Sequence, residues 1–158
     1  MQKSIDYWDI VPNTGIGEFH ILDTWDKVAD YLKNNNISYV VEQNIAYYSI
    51  RTENMLISFD KDKCIFAISV FNDFKGKINN SIGLNSTLKD VENNLGEYCN
   101  GLNEICPTYE LKSIKGVEFK LSDDEKYDNM DFEWDETIVP IVEITVWKEA
   151  SWKKQTSC

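Results

Sequence analysis

The chain has 158 residues, 42% of them hydrophobic, and a formal net charge of −11 at pH 7. These values predict one domain, 1–158, with its own core, and the absence of an apolar run of about 20 residues predicts no membrane span. A chain this acidic is not expected to bind nucleic acid, because phosphates and carboxylates repel each other.

The first helix is predicted over 24–33. Asp23 or Thr24 caps its start, because a short oxygen-bearing side chain accepts a hydrogen bond from the free amides of the first turn. Three asparagines, 34–36, end it. Apolar side chains recur at i, i+3, i+4 and i+7, which places them on one helix face. This face consists of Trp25, Val28, Ala29 and Leu32.

The second helix is predicted over 87–95, after a start signal at Ser86 or Thr87. Gly96 ends it, since glycine enters the left-handed region at little cost. Its apolar face repeats that of the first helix. The face consists of Leu88, Val91 and Leu95.

Segments with period-two alternation follow each helix and predict antiparallel strands. Four follow the first helix, at 37–41, 46–50, 56–59 and 65–70, and the second helix is followed by 108–114, 116–121 and 141–147. Residues 60–63 are typical of a hairpin turn between two of these strands. The aromatic residues in these segments are expected to be mostly core.

The two halves align with each other, at an offset of 63 for the helices, 60 between Phe59 and Phe119, and 76 for the last strands. The alignment predicts an α+β fold of two tandem helix-plus-antiparallel-meander repeats, about 15–75 and 80–149, that form a sheet with two helices on one face. About 16 extra residues enter the second repeat between Phe119 and Ile141, and they contain an acidic, aromatic insertion, 122–136.

This acidic segment, Ser122–Glu136, holds eight acids and one lysine, so its net charge is −7 and the rest of the chain carries −4. One interpretation is a solvated hairpin loop. A second is calcium binding, although the EF-hand spacing is missing. The third, which three aromatic side chains favour, is a partner-binding element with apolar anchors and carboxylates that pair with Lys and Arg. The predicted partner-binding residues are Asp123, Asp124, Tyr127, Asp128, Asp131, Phe132, Glu133, Trp134, Asp135 and Glu136.

No catalytic or metal-binding motif is recognisable. The single histidine, His20, alternates with Phe19 and Ile21 and is expected to face solvent from a strand. The sequence therefore predicts no enzyme activity, no cofactor and no metal. The four cysteines lack zinc-type spacing, and a reduced pair is expected at Cys99 and Cys106.

Three segments, 11–17, 82–91 and 116–119, resemble the small acidic immunity proteins of interbacterial toxin systems, such as those of contact-dependent growth inhibition. The Pro-x-x-Gly-x-Gly opening and the Gly-x-x-Phe strand are also similar to a eukaryotic family of phagophore-linked adaptor proteins. The immunity resemblance implies tight binding to one cognate toxin domain, often a nuclease, whose active site or substrate surface is blocked.

A nuclease must present a positive face to phosphates, and an acidic segment of −7 has the complementary charge. We therefore expect a cytoplasmic protein that forms a 1:1 complex with a basic toxin domain. The cytoplasmic expectation rests on a start at Met1 without a secretory apolar region. The alternative is a non-catalytic adaptor or regulatory module in a larger assembly.

Overall fold

The computed structural model describes residues 4–43, 45–101, 108–127 and 135–148. Its helices are α1 (Trp25–Asn34), α2 (Leu88–Leu95) and two single-turn 3-10 helices (Ile5–Tyr7 and Glu125–Tyr127). Its strands are β1 (Ile10–Val11), β2 (Gly15–Ile16), β3 (Phe19–His20), β4 (Val40–Gln43), β5 (Tyr48–Arg51), β6 (Met55–Phe59), β7 (Ile65–Val70), β8 (Tyr98–Asn100), β9 (Thr108–Leu111), β10 (Val117–Leu121) and β11 (Ile141–Trp147).

The main sheet has eight antiparallel strands in the order β4-β5-β6-β7-β11-β10-β9-β8, and β1, β2 and β3 form a separate small sheet. The predicted combination of two helices with an antiparallel sheet is confirmed. A strand was predicted at His20 and is β3, whereas β1, β2 and β8 were not predicted, because strands of two or three residues are too short to show clear alternation.

Helix α1 begins where its cap predicts. The Thr24 side chain accepts a hydrogen bond from the backbone N–H of Lys27 at 3.4 Å. Val28 and Leu32 are buried, while Trp25 is half-buried. The helix ends at Asn34, and Asn36 adopts a left-handed conformation with φ 56°. Local signals therefore determine both ends of this helix.

Helix α2 begins with a capping box. Asp90 N–H donates to the Thr87 hydroxyl at 3.3 Å, and Thr87 N–H donates to the Asp90 carboxylate at 2.9 Å. Two amides that the helix leaves free are thus satisfied, an arrangement that stabilises a helix start by about 1 kcal/mol per cap. Gly96 is the C-cap, with φ 109°.

The core lies against the face of the sheet that holds Ile57 and Phe119, both fully buried. Ile57 lies opposite Ile50 and Ile68, and Phe119 lies opposite Tyr109 and Ile144. Cross-strand neighbours share a sheet face. The buried residues of both helices belong to the same hydrophobic cluster as these strand residues.

Three aromatic rings join the small sheet to α1. The ring centroid of Trp8 lies 5.0 Å from that of Phe19 and 5.3 Å from that of Tyr31, in edge-on contacts. Trp8 and Phe19 are buried. Edge-on pairs add about 0.5–1.5 kcal/mol to the burial of the rings, so this cluster holds the N-terminal segment on the domain.

Cys99 forms a disulfide and Cys64 is free. The prediction of reduced cysteines is therefore wrong for Cys99. That prediction rested on an assumed reducing compartment, which cysteine spacing does not encode. Its suggested partner, Cys106, lies outside the described residues.

No helix in the described ranges is long and apolar enough to cross a membrane.

Candidate protein-binding site

The acidic segment is carried by the hairpin of β10 and β11. Phe119 pairs with Ile144 and Leu121 pairs with Ile141, and all four side chains are buried. A register shift follows Lys120 at the end where the segment leaves the sheet. The segment therefore starts and ends on strands that the core holds in place.

The first limb of the segment, which is its described N-terminal part (residues 122–127), turns immediately after β10. The Ser122 hydroxyl accepts a hydrogen bond from Asp124 N–H at 3.2 Å, and the Asp124 carboxylate accepts one from Lys126 N–H at 3.1 Å. Asp123 and Asp124 are exposed, whereas Tyr127 is half-buried and packs against the hydrophobic core. The turn therefore presents two predicted carboxylates to solvent and directs one predicted aromatic residue towards the domain.

The single lysine of the segment is engaged within this limb. Lys126 Nζ lies 3.6 Å from Asp124 Oδ2 and 5.0 Å from the centroid of the Tyr127 ring. The Tyr127 phenol and then the Asp124 carboxylate raise the pKa of Lys126 above its ordinary value. The lysine is exposed, and such a pair contributes little to stability.

The second limb, which is the described C-terminal part of the segment (residues 135–136), leads back to the sheet. The Asp135 carboxylate accepts hydrogen bonds from the Thr137 hydroxyl at 2.6 Å and from the Thr137 backbone N–H at 3.0 Å. These two bonds, with a smaller contribution from Lys89, hold the pKa of Asp135 below its usual value. Asp135 is exposed and therefore carries a full negative charge at neutral pH.

Carboxylates of the second limb lie close to β8 and α2. Burial raises the pKa of the Tyr98 phenol, and the charges of Glu136, Glu92 and Asp135 raise it further, in that order. Glu92 is exposed on α2. Carboxylates of the segment and of the neighbouring helix thus act on the same phenol, a relation that the sequence did not indicate.

The structure describes five of the ten predicted partner-binding residues. Asp123, Asp124 and Asp135 are exposed, and Tyr127 and Glu136 are half-buried. The other five lie outside the described part of the chain, and their roles stay predictions. They are Asp128, Asp131, Phe132, Glu133 and Trp134.

His20 lies on β3 next to the buried Phe19, and its side chain is half exposed, as predicted. Its Nδ1 is 3.8 Å from Asp23 Oδ2, and its backbone N–H donates to that carboxylate at 2.8 Å. Over the described ranges, no three His, Cys, Asp or Glu side chains converge as a metal site would require.

Asp23→Asn is expected to lower stability at neutral pH. Partial burial raises the pKa of Asp23. Hydrogen bonds from the Lys27 side chain and the His20 backbone, with the charges of the Lys27 and His20 side chains, outweigh burial and bring the pKa below 3.8. A depressed carboxyl pKa stabilises the fold above the unfolded-state value, and this contribution is lost as pH falls through the folded-state value. Thermal unfolding midpoints of wild type and variant should differ at pH 7, and the difference should shrink as pH falls below 3.8. A difference that stays the same as pH falls would contradict this assignment.

The exposure of β4 was not predicted from the sequence. Val40 and Val41 retain 61% and 51% of their accessible surface, although this stretch was expected to bury one face. A groove of 630 Å³ adjoins the start of the strand, between the 3-10 helix of residues 5–7, residues 37–40 and the β5–β6 turn. Two adjacent valines depart from alternation, and this was the only signal available in the sequence.

No protein-family model matches the chain, and neither a curated protein nor a solved structure matches it.

Proposed function

We propose that this protein binds and neutralises a basic toxin domain, as the immunity proteins of interbacterial toxin systems do. The observation that carries the proposal is the acidic segment, whose net charge of −7 is carried on a hairpin anchored in the core. A nuclease domain that cleaves RNA or DNA needs a positive face, and the segment covers that face in place of the polyanion.

Electrostatic attraction acts mainly on the speed of capture. Long-range attraction between opposite potentials raises association rates by about 10- to 1000-fold at low ionic strength. Rapid association is useful to a protein whose toxin enters the cell at an unpredictable time. The anchored limbs limit the conformational freedom that binding removes, which favours affinity.

Aromatic side chains supply the slow dissociation in this proposal. Phe132 and Trp134 enter apolar pockets of the toxin, and Tyr127 supports the first limb through its contact with the core. Buried aromatic anchors at interfaces contribute about 2 kcal/mol or more each. One toxin domain is bound per chain.

The proposed scaffold consists of two repeats related by an approximate two-fold axis. In the pairing of β7 with β11, Ser69 lies opposite Thr145, and their side-chain oxygens are 2.7 Å apart. Ser69 and Thr145 are equivalent positions of the two repeats, because their numbers differ by the strand offset of 76. Equivalent residues are expected to pair with each other where a two-fold axis lies between two strands.

Backbone hydrogen bonds before the two helices support the same relation. Leu22 N–H donates to the carbonyl of Ile65 at 2.8 Å, and Asn85 N–H donates to the carbonyl of Ile141 at 2.9 Å. The residue numbers of the two donors, Leu22 and Asn85, differ by the helix offset of 63. Those of the two acceptors, Ile65 and Ile141, differ by the strand offset of 76. The buried helix faces belong to one hydrophobic cluster, which supports placing both helices on one face of the sheet.

The strand register favours a different alignment of the two proposed repeats. Phe59 pairs with Ile65, and Leu121 pairs with Ile141, each at a register shift. In this proposal Phe59 corresponds to Leu121, at an offset of 62, rather than to Phe119. The insertion in the second repeat is then 14 residues (76 minus 62), and it still falls between the last two strands.

Growth rescue tests the proposed function. The C-terminal domain encoded by the adjacent upstream reading frame is expressed in bacterial cells, where we expect it to arrest growth. Co-expression of this protein should restore growth, and the two purified proteins should co-elute as a 1:1 complex. A toxic neighbour that this protein neither binds nor neutralises would refute immunity and favour the adaptor alternative.

A further inference from the structure

The outer edge of β4 has the properties of an unused pairing surface. Within the described ranges β4 pairs with β5 alone, and it is the terminal strand of the main sheet. Val41 lies opposite the buried Ile50, while Val40 lies opposite Arg51 on the other face. Apolar surface is thus exposed on both faces of one edge strand.

In the part of the chain that the structure describes, this edge lacks the usual protection against pairing. Soluble proteins block such edges with proline, lysine, bulges or covering loops. The segment 37–51 contains no proline and no lysine, and the β4–β5 register is regular from Val40 to Gln43. An edge strand of this kind readily accepts another strand through backbone hydrogen bonds.

Local charge decides which strand fits. The only charged residues of 37–51 are Glu42 and Arg51, which form an ion pair with Nε to Oε1 of 3.0 Å. Residues 37–51 therefore carry no net charge, although Asp6 and Glu53 line the groove at the start of β4. The acidic segment lies beyond the centre of the sheet. A basic partner is drawn to the acidic segment, while a second copy of residues 37–51 meets a strand without net charge.

We propose that β4 pairs with β4 of a second copy of this chain, antiparallel across a two-fold axis, to form a continuous sixteen-stranded sheet. Such an isologous contact is self-complementary, since each valine of one copy approaches a valine-bearing edge of the other. Pairing would cover Val40 and Val41 and satisfy the open backbone groups of both edges.

The net charge of −11 does not oppose this arrangement. Strands lie about 4.8 Å apart, so the two β11 strands, nine strand spacings from each other, would be separated by about 40 Å. That separation is several times the screening length of about 8 Å at physiological salt. Both acidic segments also remain free to bind other proteins.

Sedimentation and light scattering on the full chain test the dimer. Wild type should move from 18.4 kDa towards twice that mass (36.8 kDa) as its concentration rises from about 2 to about 200 µM. Val40→Lys with Val41→Lys should remain monomeric, because lysines on an edge strand oppose pairing. The control, Leu22→Lys with Ile138→Lys, makes the same charge change at side chains that are 59% and 62% exposed, and it should dimerise like wild type.

Hydrogen exchange on the wild-type protein gives a second readout that does not depend on variant folding. Amides of β4 should become protected at the higher concentration, while those of β8 should not change. A monomer at every concentration would overturn the proposal. So would protection of β4 that appears only with the toxin, because it would assign this edge to the toxin.

Discussion

Replacing the four described carboxylates of the acidic segment with amides should slow association with the toxin about 10- to 100-fold at low ionic strength. The variant combines Asp123→Asn, Asp124→Asn, Asp135→Asn and Glu136→Gln. The backbone of both limbs should persist, since an amide oxygen still accepts the bonds from Lys126 and Thr137. Surface plasmon resonance at several salt concentrations should also show a shallower salt dependence and a smaller change in dissociation rate.

A matched control separates local charge from total charge. Four exposed acids elsewhere are replaced in the same way, so that both variants carry −7, four units above the wild-type −11. Equal slowing by both variants would mean that net charge alone attracts the toxin, and the acidic segment would lose its assigned role. The control changes are Glu18→Gln, Asp26→Asn, Asp30→Asn and Asp62→Asn.

Gly17→Ala should lower the free energy of unfolding by about 3 kcal/mol, through a strained backbone and an overpacked core. Gly17 has φ 56°, and a Cβ there would lie 2.1 Å from Cδ2 of the Trp8 indole. That ring cannot move aside easily, because Phe19 and Tyr31 pack against it. The thermal midpoint should therefore fall by about 6–12 °C for a domain of this size.

Gly96→Ala is the control for this substitution. Gly96 also has a positive φ, 109°, but a Cβ there would approach only the Ser113 hydroxyl, at 3.5 Å. It should cost about 1–2 kcal/mol from backbone strain alone, because φ 109° with ψ −174° is a conformation that only glycine adopts readily. Denaturant titration of both variants gives the comparison, and similar losses would mean that the indole adjusts and that the contact with Trp8 is unimportant.

Features determined by nearby residues were predicted correctly. Thr24 and Thr87 cap the helices, and Gly96 ends the second one. The turn after β6 is also local, since the Asp60 carboxylate accepts hydrogen bonds from the backbone of Asp62 and Cys64. In each case the residues that form the bonds lie within five positions of each other.

The candidate site was only partly predictable. Charge and aromatic content identified the acidic segment, because both are properties of composition. The electrostatic effect of Glu92, Glu136 and Asp135 on Tyr98 was not predicted, because residues of α2, β8 and the second limb interact only in the folded chain. The exposure of Val40 was missed for a related reason, because alternation does not reveal whether a strand lies at the centre or at the edge of a sheet.

By itself, the sequence determined the two helices, most strands of the main sheet and the place of the acidic segment between the last two strands, because periodicity, caps and composition act over short distances. The tertiary structure alone decided that β7 pairs with β11 and that β4 is the terminal strand of the main sheet. The pairing of β7 with β11 joins residues that lie 74 to 80 positions apart in the sequence. Such pairing is selected by the fit of whole hydrophobic faces, which no short window of sequence contains.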